Sequence, residues 1–247
     1  MITVEEDISF RTYSPILNYR FERWFQQVEY NGRTLSDDER KDFVRVIDET
    51  VSTFTSGLPL LTEELKRSES LDDDYHKVSR VVYSVLLFVV MTMCDCMVVG
   101  KYFILADTDY DKRLMRGKMK VILNEGFKKL YGYNESNKKR AEWFRLLDYM
   151  KCYSEDINHQ YQKMTYLLEK QSTTSSWWKD ERDYETHIDA EKLYSSRMEK
   201  IEESKEMMET LHLYNALFAV SLFLTNVHAC LRNYLVGKYR RGEIIDE

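Results

Sequence analysis

Arg182 and His187 are the residues of this chain best suited to chemistry. They stand in Trp177-Trp178-Lys179-Asp180-Glu181-Arg182-Asp183-Tyr184-Glu185-Thr186-His187-Ile188-Asp189, with four residues between them. An imidazole titrates near neutral pH, so it can take up and return a proton. A guanidinium presents a planar fork of donors that matches a phosphate. The pair therefore has the makings of an anion anchor beside an acid/base. On a regular helix the two side chains would point about 140° apart. They converge only if the segment bends between them, or if two copies of the chain meet. A structural reading competes with this one. Arg182 can pair with Asp180, Glu181 or Glu185 while Trp177 and Trp178 pin the segment to a core.

A second candidate is Asp95, centred in the apolar run 81–106. A carboxylate in such a setting is costly unless it is paired. Arg113 or Arg116, or a lysine nearby, is the expected partner, in a buried structural ion pair. Read functionally, Asp95 would line a polar cavity with Glu125. Asn226 and His228 are read as core polar residues with hydrogen-bond partners.

Most other site chemistries are excluded. The eight glycines form neither a phosphate loop GxxxxGK[ST] nor GxGxxG, so no backbone cradle for a nucleotide exists. A GxSxG nucleophile elbow is missing. The five histidines form no HExxH and no Cys/His zinc spacing. No metal and no cofactor is expected. Cys94 and Cys96 would point about 200° apart on a helix and cannot jointly clamp an ion from one face. All four cysteines are read as buried reduced thiols, which suits a reducing cytosol.

The elements that must position these residues are helices. Pro15 and Pro59 are the only prolines, and proline is what usually punctuates β-rich folds. Residues 1–15 lack helical periodicity and read as an extended segment. A first helix is expected over 16–30. Ser36 with Glu39 forms an S-x-x-E capping box. Phe43, Val46, Ile47, Val51 and Phe54 then follow at helical steps, so 37–55 is an amphipathic helix that Gly57 and Pro59 end. A long apolar helix covers 76–106. Another covers 107–133, with Gly132 as its stop. A fifth runs over 135–170 with Trp143, Leu146, Tyr161, Met164 and Leu168 on its apolar face. QSTTSS, 171–176, is rich in turn-favouring hydroxyl residues and opens a loop over 171–188 that carries the Arg182–His187 pair. The last helix starts near Asp189, a good N-cap, and reaches about 236. The expected fold is all-α: one domain over 1–247, a bundle of six or seven helices built on the paired 76–106 and 190–236 helices.

A chain with 43% apolar and 13% aromatic residues has the material for a core. Net charge is −6, unlike a strongly basic nucleic-acid binder, although 107–151 carries 12 Lys/Arg against 7 Asp/Glu. The runs 81–106 and 213–231 are long enough to raise the membrane question. Asp95 interrupts the first, and polar residues interrupt the second. Both are expected to be core helices of a soluble bundle rather than membrane spans. The N-terminus MITVEEDISF is acidic and does not resemble a signal peptide. The expected location is the cytoplasm.

The Arg182–His187 spacing, with Asp183 directly after the arginine, resembles the R-x4–6-H motif of the HEPN superfamily (higher eukaryotes and prokaryotes nucleotide-binding). The resemblance implies an all-helical bundle with the motif at the entrance to a late helix. It also implies RNA binding or metal-independent RNA cleavage, in toxin–antitoxin or phage-defence settings, with the motif at a homodimer interface. Arg182 would hold a phosphate, and His187 would move the proton of the attacking 2′-hydroxyl. The alternative from another class is a non-catalytic helical scaffold that binds a protein partner, or itself, through an exposed helix face.

Overall fold

A computed structural model describes residues 36–70, 74–132, 135–146 and 155–176, together with 191, 194–195, 217, 219–227 and 229. Every regular element among them is a helix, which makes the protein an all-α bundle. In chain order these are α1 (Asp37–Glu69), α2 (Asp74–Leu105), α3 (Asp109–Leu130), α4 (Glu135–Lys138), α5 (Glu142–Arg145) and α6 (Glu155–Ser176). A further helical stretch covers 219–227. The expected segment 1–15 and the helix over 16–30 lie outside the described residues.

α1 begins as its sequence dictates. The Ser36 hydroxyl accepts from the Glu39 backbone N–H, and the Glu39 carboxylate accepts from the Ser36 N–H at 2.8 Å. Phe43, Val46 and Ile47 form its buried face. The expected stop at Gly57 and Pro59 is corrected by the structure, because α1 continues to Glu69 with Pro59 inside it. Proline removes one backbone bond. Phe54, Leu58 and Leu61, packed against the core on either side of it, hold the helix together across that gap.

α2 lies antiparallel to α1 and carries most of the core. Three bonds mark the register: Arg80 Nη2 to Ser68 O at 2.9 Å, Lys101 Nζ to Asp48 Oδ1 at 2.7 Å, and Arg40 Nη1 to Ile104 O at 3.3 Å. Val82, Val85, Val89 and Met93 are wholly buried, and burying each stabilises the fold by roughly 1.5–3 kcal/mol. The stretch His76–Leu105 is the one described helix long and apolar enough to cross a membrane; 67% of its most apolar window is buried within the protein. The pairing of 76–106 with 190–236 was expected to organise the bundle. Most of 190–236 lies outside the described residues; among the described elements α2 packs chiefly on α1 and α3. The described part of the C-terminal run, 219–227, does enter the core through Ala219, Val220, Phe223, Leu224 and Val227.

α3 starts at Thr108, whose hydroxyl accepts from the Asp111 N–H at 3.1 Å. It ends before Gly132, which adopts φ 80°, the left-handed conformation glycine tolerates. The single helix expected over 135–170 is broken into α4, α5 and α6, with 147–154 outside the described residues. Tertiary contacts replace helix continuity here. Trp143 stacks on Tyr161 at 4.8 Å and 10°, and donates its Nε1–H to Thr165 Oγ1 at 2.8 Å. The Tyr161 hydroxyl donates to the Trp143 carbonyl at 3.0 Å, which also accepts from the Leu146 N–H at 3.2 Å. Phe223 completes the cluster, 5.8 Å from Trp143. A second correction follows at 171–176, which is the last part of α6 and not a loop. The buried face of Tyr161, Met164, Leu167 and Leu168 carries the helix into this hydroxyl-rich stretch despite its weak propensity.

Candidate functional site

Arg182, Asp183 and His187 lie outside the described residues, as does the remainder of the expected loop over 177–188. His228 lies outside them too. So does Glu209-Thr210-Leu211-His212, a single Glu-x-x-His; a carboxylate-bridged di-iron bundle uses two such pairs. Among the described residues, no cluster of three His, Cys, Asp or Glu side chains is placed to hold a metal ion.

Asp95 and Glu125 are both described, and both differ from expectation. Asp95 is exposed, not buried, and no ion pair of the described residues joins it to Arg113 or Arg116. Arg116 is itself buried, at 4% exposure. Glu125 is exposed and stands 3.7 Å from Lys128 one turn along α3. Both carboxylates stand on exposed faces of their helices. Asn226, expected in the core, is exposed as well. Cys94 and Cys96 are buried free thiols, as expected. Burial first, and the Asp95 charge second, push the Cys96 thiol up to about 12.

What Asp95 does belong to is an apolar stripe on the outer face of α2. Met91, Val98, Tyr102 and Leu105 are 50%, 36%, 53% and 45% exposed, and Asp95 stands between the first two. Their spacing of four, three, four and three residues is the heptad pattern of a helix seam. At 100° per residue, all five fall within an arc of about 80°. Apart from this stripe, the residues of α2 from Val85 to Ile104 are buried or half-buried. Its α3 side includes Thr92 against Gly126, and its α1 side includes Leu86 and Val90. Half-buried Phe88 closes the upper end of the stripe beneath Lys129, whose Nζ sits 4.7 Å from the ring centroid.

This seam was missed in the sequence because run 81–106 is apolar on all sides. Averaged hydropathy conceals which side faces outward. The signal that could have found it is angular: Asp95 shares its helical position with Met91, Val98 and Tyr102, so the charge marks the wet face.

No protein-family model matches the chain, and no curated protein or solved structure matches it either.

Proposed function

We propose that this protein is a helical interaction module that pairs with a second copy of itself through the outer stripe of α2. The supporting observation is the stripe's self-complementarity. With a two-fold axis at Val98 and the α2 helices antiparallel, Met91 of one copy opposes Leu105 of the other. Asp95 then stands within one residue, about 1.5 Å along the axis, of the level of Tyr102, near enough for the phenol hydroxyl to donate to the carboxylate. A two-fold interface requires this reciprocity: if one residue meets another, the second meets the first. A carboxylate amid apolar residues then has a partner, which removes the cost of covering it. Parallel pairing would instead set Asp95 against Asp95.

A Val98→Cys variant tests the geometry. The two introduced thiols meet at the axis, within reach of a disulfide. Mild oxidation should give a covalent dimer in Val98→Cys and none in wild type. A failure to cross-link at protein concentrations that saturate association would reject the arrangement.

The Arg182–Asp183–His187 motif supports a second reading, HEPN-like RNA binding or metal-independent RNA cleavage. In that reading Arg182 anchors a phosphate and His187 transfers the proton. RNA incubated with purified protein and a chelator should be cut, and His187→Ala should abolish cutting without lowering the melting temperature. Intact RNA with the wild-type chain rejects the catalytic form of this reading.

A further inference from the structure

A cavity of about 910 Å³ lies between α1, α2 and the 219–227 helix, on the opposite flank of α2 from α3. Its α1 wall extends from Thr53 to Ser68, about 22 Å at 1.5 Å rise per residue. The volume lies in the range of small-molecule sites. Its lining is ordered by polarity. Phe54, Leu61, Leu86, Val90 and Leu222 form an apolar trough at one end. Toward the α1–α2 connection the lining becomes Glu64, Arg67, Ser68, His76 and Ser79. The Arg80 to Ser68 bond shows that these two helix ends lie side by side.

Ser79 is the unusual member. Three other hydroxyls of the lining bond back to carbonyls of their own helices: Thr53 to Glu49 O at 2.8 Å, Ser68 to Leu65 O at 2.6 Å, Thr225 to Ser221 O at 2.9 Å. Ser79 is 2% exposed, and its Oγ has no hydrogen-bond partner. A buried hydroxyl without a partner is a cost that proteins seldom carry without reason. Ser79 is among the residues that line the cavity. Arg67 stands exposed at the rim beside Glu64, and His76 is half-buried below it. The Arg67 guanidinium and the Ser79 hydroxyl are hydrogen-bond donors at this end of the cavity, which favours a ligand head that accepts hydrogen bonds.

We propose that this cavity binds a fatty acid. The carboxylate lies at the connection end, accepting from Ser79 and facing Arg67 and His76. The aliphatic chain lies along Phe54, Leu61, Leu86 and Val90. The site is separate from the α2 stripe and does not depend on pairing between copies.

Gly57 supplies the test. It lines the cavity, and nothing stands within 4 Å of the position its Cβ would take. A Gly57→Phe side chain therefore fills the trough without a clash at its root. The experiment is calorimetric titration of the full chain with laurate below its micelle concentration, and with dodecanol. Laurate should saturate at one molecule per chain, with dodecanol at least tenfold weaker. Ser79→Ala should weaken laurate about tenfold, the weight of one hydrogen bond to a charged group. Gly57→Phe should abolish binding with its melting temperature maintained. Absent saturation, equal affinity for dodecanol, or wild-type affinity in Gly57→Phe would overturn the proposal. Should Gly57→Phe melt early, Ser79→Ala decides alone: unchanged laurate affinity overturns it.

Discussion

Gly126 of α3 lies so close to Thr92 of α2 that a Cβ at position 126 would stand 2.5 Å from the Thr92 methyl carbon. Real side chains do not approach so closely, and the Thr92 methyl has little freedom to retreat. Its hydroxyl is fixed to Phe88 O at 2.9 Å. This contact lets α2 and α3 approach at one point, next to the turn that presents Asp95.

Gly126→Ala should therefore destabilise the fold by about 1–3 kcal/mol as an overpacked core does, although alanine is the better helix former by roughly 1 kcal/mol. Thr92→Ser removes the methyl and keeps the hydroxyl bond. The double variant should recover at least about 1 kcal/mol relative to the sum of the singles, read by urea unfolding. Strict additivity would show that the two helices are not held at this contact.

The Trp143 cluster makes a second prediction. Trp143 is wholly buried, stacks on Tyr161 and donates to Thr165. Trp143→Ala should cost about 3–5 kcal/mol. Trp143→Phe keeps a ring but loses the N–H donor, and should cost about 1–2 kcal/mol. Equal losses in the two variants would show that the ring's volume contributes nothing.

How much of this was legible in sequence differs by element. The Ser36–Glu39 capping box and the Gly132 stop are local devices, and both stand where their residue types require. The break between α4 and α6 is not local. Trp143, Leu146, Ile157, Tyr161 and Leu168 keep helical spacing across it and are all buried, so periodicity alone reads one helix. The continuation of α1 through Pro59 was hidden for a related reason, since packing of Phe54 and Leu61 outweighs one lost backbone bond. Burial of Asp95 was misjudged because hydropathy carries no direction around the helix. The Arg182–His187 pair lies outside the described residues, so the fold neither brings the two together nor parts them.

The Cys96 thiol provides a pH-dependent prediction. Its folded pKa is raised from 9.0 to about 12 by burial, with a smaller contribution from Asp95. Below pH 9 both folded and unfolded chains hold the proton, and the stabilisation is intact. Between pH 9 and about 12 the unfolded chain releases its thiol proton while the fold retains it, so stability falls. The stability advantage of wild type over Cys96→Ala should narrow across that window, measured by urea unfolding at successive pH values. A constant gap would mean that Cys96 is not held in its protonated form. Iodoacetamide at pH 8 should also leave Cys96 unmodified in the folded chain, read by peptide mass mapping.

The α2 stripe yields the most direct measurement, sedimentation equilibrium of wild type against Val98→Arg. Val98 is 36% exposed, so arginine is accommodated in the monomer. At an antiparallel two-fold axis it would face a second arginine. Wild type should fit a monomer–dimer equilibrium, and Val98→Arg should remain monomeric over the same concentrations with an unchanged melting temperature. A wild-type chain that stays monomeric up to about 100 µM, or a Val98→Arg variant that dimerises as wild type does, would contradict pairing through this face.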